Sequence, residues 1–96
     1  MKLDVALSKI QAHSVQLNKF QVKKIAIFGS VARDEATDQS DIDILIEFTE
    51  DVSLFHFLRT KQYLEELLEI QVDLVTLKAL RSDWHDAVLA EAVDAA

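Results

Sequence analysis

Cysteine and proline are both missing from this 96-residue chain, and glycine occurs once. Without cysteine there is no disulfide, no thiolate metal site and no thiol nucleophile. No apolar run approaches the roughly 20 residues that span a bilayer. The first residues, Met1-Lys2-Leu3-Asp4, lack the apolar stretch of a signal peptide. A cytoplasmic protein without membrane contact is therefore expected. Basic residues are scarce: 10 Lys and Arg face 17 Asp and Glu, for a net charge of −7. That balance argues against direct nucleic-acid binding, where affinity comes from cations neutralising phosphates. It leaves room for a single nucleotide held through metal ions, which bring their own positive charge. Half of the residues are hydrophobic, enough for one domain over 1–96 with a modest core.

The periodicity predicts alternating helices and strands. Leu3, Leu7, Ile10, Leu17 and Phe20 have helical spacing across 3–20, with a polar gap around Ser14. Lys23 to Phe28 reads as a buried strand, Ser30 to about Glu35 as a short helical turn, and Ala36 to Ser40 as a polar loop. From Asp41 to Phe48 the chain alternates, with Ile42, Ile44 and Ile46 on one face and Asp41, Asp43 and Leu45 on the other. Ser53 can cap a helix to about Glu69 with a stripe of Leu54, Phe57, Leu58, Leu64, Leu67 and Leu68. Gln71 to Leu77 is a third strand. A last helix, capped by Ser82 or Asp83, carries Trp84, Val88 and Val93, and its end is expected to fray. The order is α-β-β-α-β-α, an α/β (α+β) fold. Helices cover one face of a small sheet and leave part of the other open.

The single glycine, Gly29, follows the apolar run Ile25-Ala26-Ile27-Phe28 and precedes Ser30. A chain that uses glycine once is expected to use it where a side chain is not tolerated, as where backbone approaches phosphate. There, backbone N–H groups reach phosphate oxygens, Ser30 adds a hydroxyl, and a helix start favours negative charge. Arg33, one helical turn on, can grip a phosphate with both arms of its guanidinium. The plainer alternative is a surface ion pair of Arg33 with Asp34 or Glu35.

Aspartate is depleted in strands, yet Asp41, Asp43 and Asp73 all sit in or beside strand patterns. Period-two geometry puts Asp41 and Asp43 on one face, roughly 7 Å apart. If the third strand lies beside the second, Asp73 points to the same place. Crowded carboxylates repel unless cations lie among them. Hard oxygen donors suit Mg²⁺ or Mn²⁺, which complete their shells with substrate phosphates. Two such ions, about 4 Å apart, can activate an attacking oxygen and stabilise leaving pyrophosphate. An EF-hand over Asp38 to Asp43 is excluded: it lacks the turn glycine and runs into an isoleucine-rich strand. A solvent-facing strand edge is the bland alternative for the D-x-D pair by itself. The conjunction of all these features points to a metal-dependent enzyme acting on a nucleoside triphosphate.

Gly29-Ser30, Arg33, Ser40-Asp41-Ile42-Asp43 and Val72-Asp73-Leu74-Val75 together resemble a minimal nucleotidyltransferase, the smallest branch of the DNA polymerase β-like superfamily. The resemblance is close over 23–77. It implies a mixed sheet flanked by helices, Asp41 and Asp43 as ligands of both Mg²⁺ ions, and Asp73 completing the site near the attacking hydroxyl. It implies that Gly29 and Ser30, with Arg33, hold the triphosphate of ATP. One position departs from the pattern: members usually carry glycine after the arginine, and here Asp34 stands, expected to face solvent. Minimal members are typically the antitoxin partners of HEPN-domain toxins. The resemblance thus implies transfer of AMP from ATP to a toxin tyrosine, within a hetero-oligomer. Two rivals remain: a binding-only antitoxin that occludes its toxin, and transfer to a small molecule. The presence of all three aspartates favours activity.

His13, His56 and His85 lack metal-ligand spacing. His56 is expected to be structural. His85 beside Asp86 is expected to be surface, since neighbours along a helix do not face each other. Trp84 reads as a core or interface anchor, Arg59 and Lys61 as solvated, and Tyr63 as a conceivable acceptor for self-modification.

Overall fold

The computed structural model describes residues 1–80 and 82–95, with the side chains of 82–84 outside that description. Expectations for a cap at Ser82 or Asp83 and for Trp84 as an anchor therefore fall outside the described residues.

The elements are α1 (Leu3–Ala12), α2 (Ser14–Lys19), β1 (Val22–Phe28), α3 (Gly29–Ala32), β2 (Ile42–Phe48), α4 (Leu54–Leu68), β3 (Val72–Thr76), a 3₁₀ turn (Leu77–Ala79), α5 (Ser82–Glu91) and β4 (Val93–Asp94). The strands form one mixed sheet in the order β3-β2-β1-β4. β1 and β2 are antiparallel, with Ile25 opposite Ile46, Ile27 opposite Ile44 and Phe28 opposite Asp43. β2 and β3 are parallel. A parallel pair requires a crossover, and the 15-residue α4 supplies it.

The alternation read in β2 is what builds the core. Ile42, Ile44 and Ile46 are fully buried and pack with Ile25, Ile27, Val72 and Leu74 of neighbouring strands and with Ile10, Leu17, Leu64 and Leu68 of the helices. Each such burial is worth about 1.5–3 kcal/mol. A register shift between Val22 and Lys24 lets Val22 join this face despite its parity. On the other face, Ala26 and Leu45 share with Leu89 and Ala92 the lining of a cavity of about 320 Å³. That face is thus only partly covered.

Three expectations need correction. The N-terminal helix is two helices, broken at His13 (φ −114°, ψ 24°), whose ring Nδ1 lies 2.9 Å from the Lys9 carbonyl oxygen. The break falls where the apolar repeat lapses. In α4, Leu54 and Leu58 are exposed, and the buried stripe runs instead through Thr60, Leu64 and Leu68, with Phe57 and Leu67 packed against the core. Thr60 is tolerated there because its hydroxyl donates to the His56 carbonyl at 2.8 Å. The C-terminal end does not fray as helix. Val93 and Asp94 pair with Ile27 and Ala26, the Ala95 amide donates to the Ile25 carbonyl at 2.9 Å, and Ala95 is fully buried. The free edge of β1 offers unpaired backbone groups, and pairing them outweighs continuing α5. The expected Ser53 cap is present, its hydroxyl accepting from the His56 amide at 3.1 Å.

Candidate active site

Strand register assembles the centre. Asp43 stands in β2 with Phe28 opposite on one side and Asp73 level with it on the other. Neighbouring strands run roughly 4.8 Å apart, so the two carboxyl groups are close. Asp43 is half-buried, and burial, then the charge of Asp73, a hydrogen bond with Asp73 and the charge of Asp41 push its carboxyl from 3.8 to about 6. The Arg33 charge opposes this shift weakly. Asp41 lies one residue before β2 rather than inside it and is exposed, as is Asp73.

Phe28 hands the chain to Gly29 beside Asp43. Gly29 is buried with φ +73°, a conformation L side chains rarely adopt. A Cβ there would collide with Asp43 Oδ2 and lie 3.0 Å from its Cγ. The single glycine is therefore spent on the approach of the β1–α3 turn to the central carboxylate. The helix after it, α3, is one four-residue turn, too short for much macrodipole, so the backbone amide itself and Arg33 carry the positive character of this corner. Ser30 is partly exposed, and no hydrogen bond of its hydroxyl occurs among the described residues.

Arg33 reaches Glu35 Oε2 through Nε at 3.3 Å and both Glu91 oxygens through Nη1 at 3.2 and 3.0 Å. The Glu35 contact is the surface pair weighed from sequence; the Glu91 contact is new. Glu91 also accepts from the Gly29 amide at 2.9 Å. That bond above all, supported by Arg33, holds its carboxyl below the ordinary value. Glu91 closes a contact 62 residues long in sequence, and no local pattern marks it. Asp34 is exposed with φ +59°. It keeps the left-handed backbone that a glycine would adopt freely, and aspartate tolerates it better than most residues.

Among the described residues, no three acidic or histidine side chains are gathered closely enough to hold a metal ion as they stand. The chemistry of the donors nonetheless fits Mg²⁺ or Mn²⁺. Asp43 and Asp73 are hard oxygen donors at the same register, and burial first, then the neighbouring Asp73 and Asp41, disfavour the charged Asp43 carboxylate, a cost that a cation would relieve.

Residues 8–94 match the family described as nucleotidyltransferase domain. The chain belongs to that family. Protein adenylyltransferase MntA of Thermococcus cleftensis is 42% identical to this nucleotidyltransferase over 94 residues, 97% of this chain and 95% of its relative. A solved structure described as a minimal nucleotidyltransferase superposes with a TM-score of 0.84 at 34% identity, covering 97% of this chain and 95% of that one. The MNT antitoxin complex of a tri-AMPylated HEPN toxin from Shewanella oneidensis shares the fold (TM-score 0.61, 21% identity, 90% and 71% coverage). The small mixed sheet flanked by helices is thus the minimal nucleotidyltransferase fold.

The remaining tempting residues stand apart from this corner. His56 packs edge-on against Phe20 and Phe48 and its Nε2 bonds the Phe20 carbonyl, a structural role. The Tyr63 hydroxyl is buried and has no hydrogen-bond partner among the described residues, and its ring lies 5.1 Å from that of Phe20, a setting that disfavours it as an acceptor. His85 Nδ1 does approach Asp86 Oδ1, at 3.7 Å, but Asp86 is fully exposed. No helix among the described residues is long and apolar enough to cross a membrane.

Proposed function

We propose that this nucleotidyltransferase moves AMP from ATP to a tyrosine hydroxyl of a cognate HEPN-domain toxin, and so acts as its antitoxin. The observation that carries the reading is the placement of Asp43 level with Asp73 and against Gly29, which sets a carboxylate cluster beside a backbone amide and an arginine. The MntA relative and the fold shared with an antitoxin bound to an AMPylated toxin support it.

In this reading the Gly29 amide, Ser30 and Arg33 hold the triphosphate and orient the α-phosphorus toward the acceptor. The tyrosine oxygen attacks in line, the bond from the α-phosphorus to its bridging oxygen breaks, and pyrophosphate leaves. Asp73, level with Asp43 and exposed, takes the tyrosine proton. Asp41, Asp43 and Asp73 would hold Mg²⁺, which supplies charge neutralisation for the phosphates and the departing pyrophosphate.

The test is intact mass of the toxin after incubation with this protein, ATP and Mg²⁺. Addition of AMP that disappears with Asp43→Asn is expected. An unmodified toxin that is nevertheless bound and inhibited would replace the enzyme reading with an occluding one.

A further inference from the structure

We infer that Glu91 is an internal stand-in for a substrate phosphate, so that ATP must displace its carboxylate to occupy the corner made by Gly29 and Arg33. The inference rests on the nucleotide reading of that corner and adds its control.

Of the three groups assigned to phosphate, Glu91 uses two, the Gly29 amide and Arg33. Its Oε1 accepts from the Gly29 amide at 2.9 Å, and Arg33 Nη1 meets both oxygens within 3.2 Å. A carboxylate and a phosphate oxygen make the same demand on such donors, an anion facing N–H groups. They cannot share the amide, and their charges repel. Nucleotide binding therefore carries the cost of breaking these charge-assisted bonds.

The placement suits a side chain that swings rather than a rigid strut. Glu91 is the last residue of α5, and its side chain is 32% exposed. Immediately after it, Val93 pairs with Ile27 and the Ala95 amide bonds the Ile25 carbonyl. The backbone under Glu91 is thereby moored to β1, the strand that ends at Gly29. Reach is fixed by the sheet, while the carboxylate itself can rotate to solvent without unpairing any strand.

Gly29 being the only glycine, ¹⁵N-glycine labelling yields one amide resonance that reports directly on this seat. Affinity for ATP with Mg²⁺, and for inorganic tripolyphosphate, is read from its shift and from calorimetry. Glu91→Gln keeps the side-chain shape and removes the charge, and it is expected to bind both probes about tenfold more tightly than wild type. Glu91→Asp, shorter by one methylene, is expected to move the same way and stands in should the first variant fold poorly. Unchanged or weaker binding in either variant overturns the inference and makes Glu91 a positioning residue for Arg33. Arg33→Ala separates the two levels. If it abolishes binding while the Glu91 variants gain nothing, the phosphate seat stands and the displacement is wrong. If the Gly29 resonance ignores ATP in every protein, both fall.

Discussion

Asp43 occupies the space that a side chain at Gly29 would need: a Cβ there would lie 3.0 Å from Asp43 Cγ and collide outright with Oδ2. Space and backbone angle act together, since φ at Gly29 is +73°. Gly29→Ala must either push the Asp43 carboxylate aside or shift the turn. A loss of about 2–3 kcal/mol in urea-melt stability is expected, with loss of ATP binding. Wild-type stability together with wild-type ATP affinity would contradict the close approach.

Asp43→Asn removes a charge that the fold holds against burial and two neighbouring carboxylates. Transfer of AMP should vanish. In chelator at pH 7 the variant should be more stable than wild type by about 1 kcal/mol, after allowing for solvent screening at a half-buried site. A variant that is destabilised without metal would mean that the carboxylates do not repel.

The pH dependence of that difference follows from the sign of the shift. The Asp43 carboxyl lies at about 6 in the fold against an ordinary 3.8. Between these values the native state binds the extra proton, so acidification stabilises it. The deficit of metal-free wild type relative to Asp43→Asn is full above about pH 6 and fades toward pH 4. Glu91 runs the other way. Its carboxyl is held below the ordinary 4.5, so its contribution is full above 4.5 and is lost as pH falls through its lowered value. Thermal melts across pH 3 to 7 on wild type, Asp43→Asn and Glu91→Gln should separate the two limbs, and a flat wild-type minus Asp43→Asn difference would refute the shift.

Asp34 and Glu69 both hold a left-handed backbone, at φ +59° and +57°. Glu69 ends α4, with its amide bonded to the Glu65 carbonyl at 2.8 Å. Glycine meets both conformations without strain, so Asp34→Gly and Glu69→Gly should each raise stability by about 0.5–1 kcal/mol. The Lys9–Glu69 contact at 3.7 Å, lost in the second variant, is exposed and worth little. Only Asp34→Gly should also strengthen ATP binding, by removing a negative charge beside Arg33. Equal affinity in both variants would show that position 34 is electrically remote from the nucleotide.

Periodicity alone placed strands at 23–28, 41–48 and 71–77, each within one residue of the observed 22–28, 42–48 and 72–76, together with the α4 cap at Ser53 and the inward isoleucines of β2, because these depend on neighbours two to four residues away. It also marked Gly29 as a position where a side chain would be refused, and it put Asp41 and Asp43 two residues apart on one strand pattern. What it could not supply was the partner of each edge. That β3 lies parallel to β2 with Asp73 level with Asp43, that the end of the chain returns as β4 along β1, and that Glu91 thereby meets Gly29 and Arg33 were decided by tertiary structure. Local propensity for α5 to continue was weaker than the demand of an open strand edge for hydrogen bonds. Contacts spanning 62 residues leave no trace in a pattern whose period is two or 3.6.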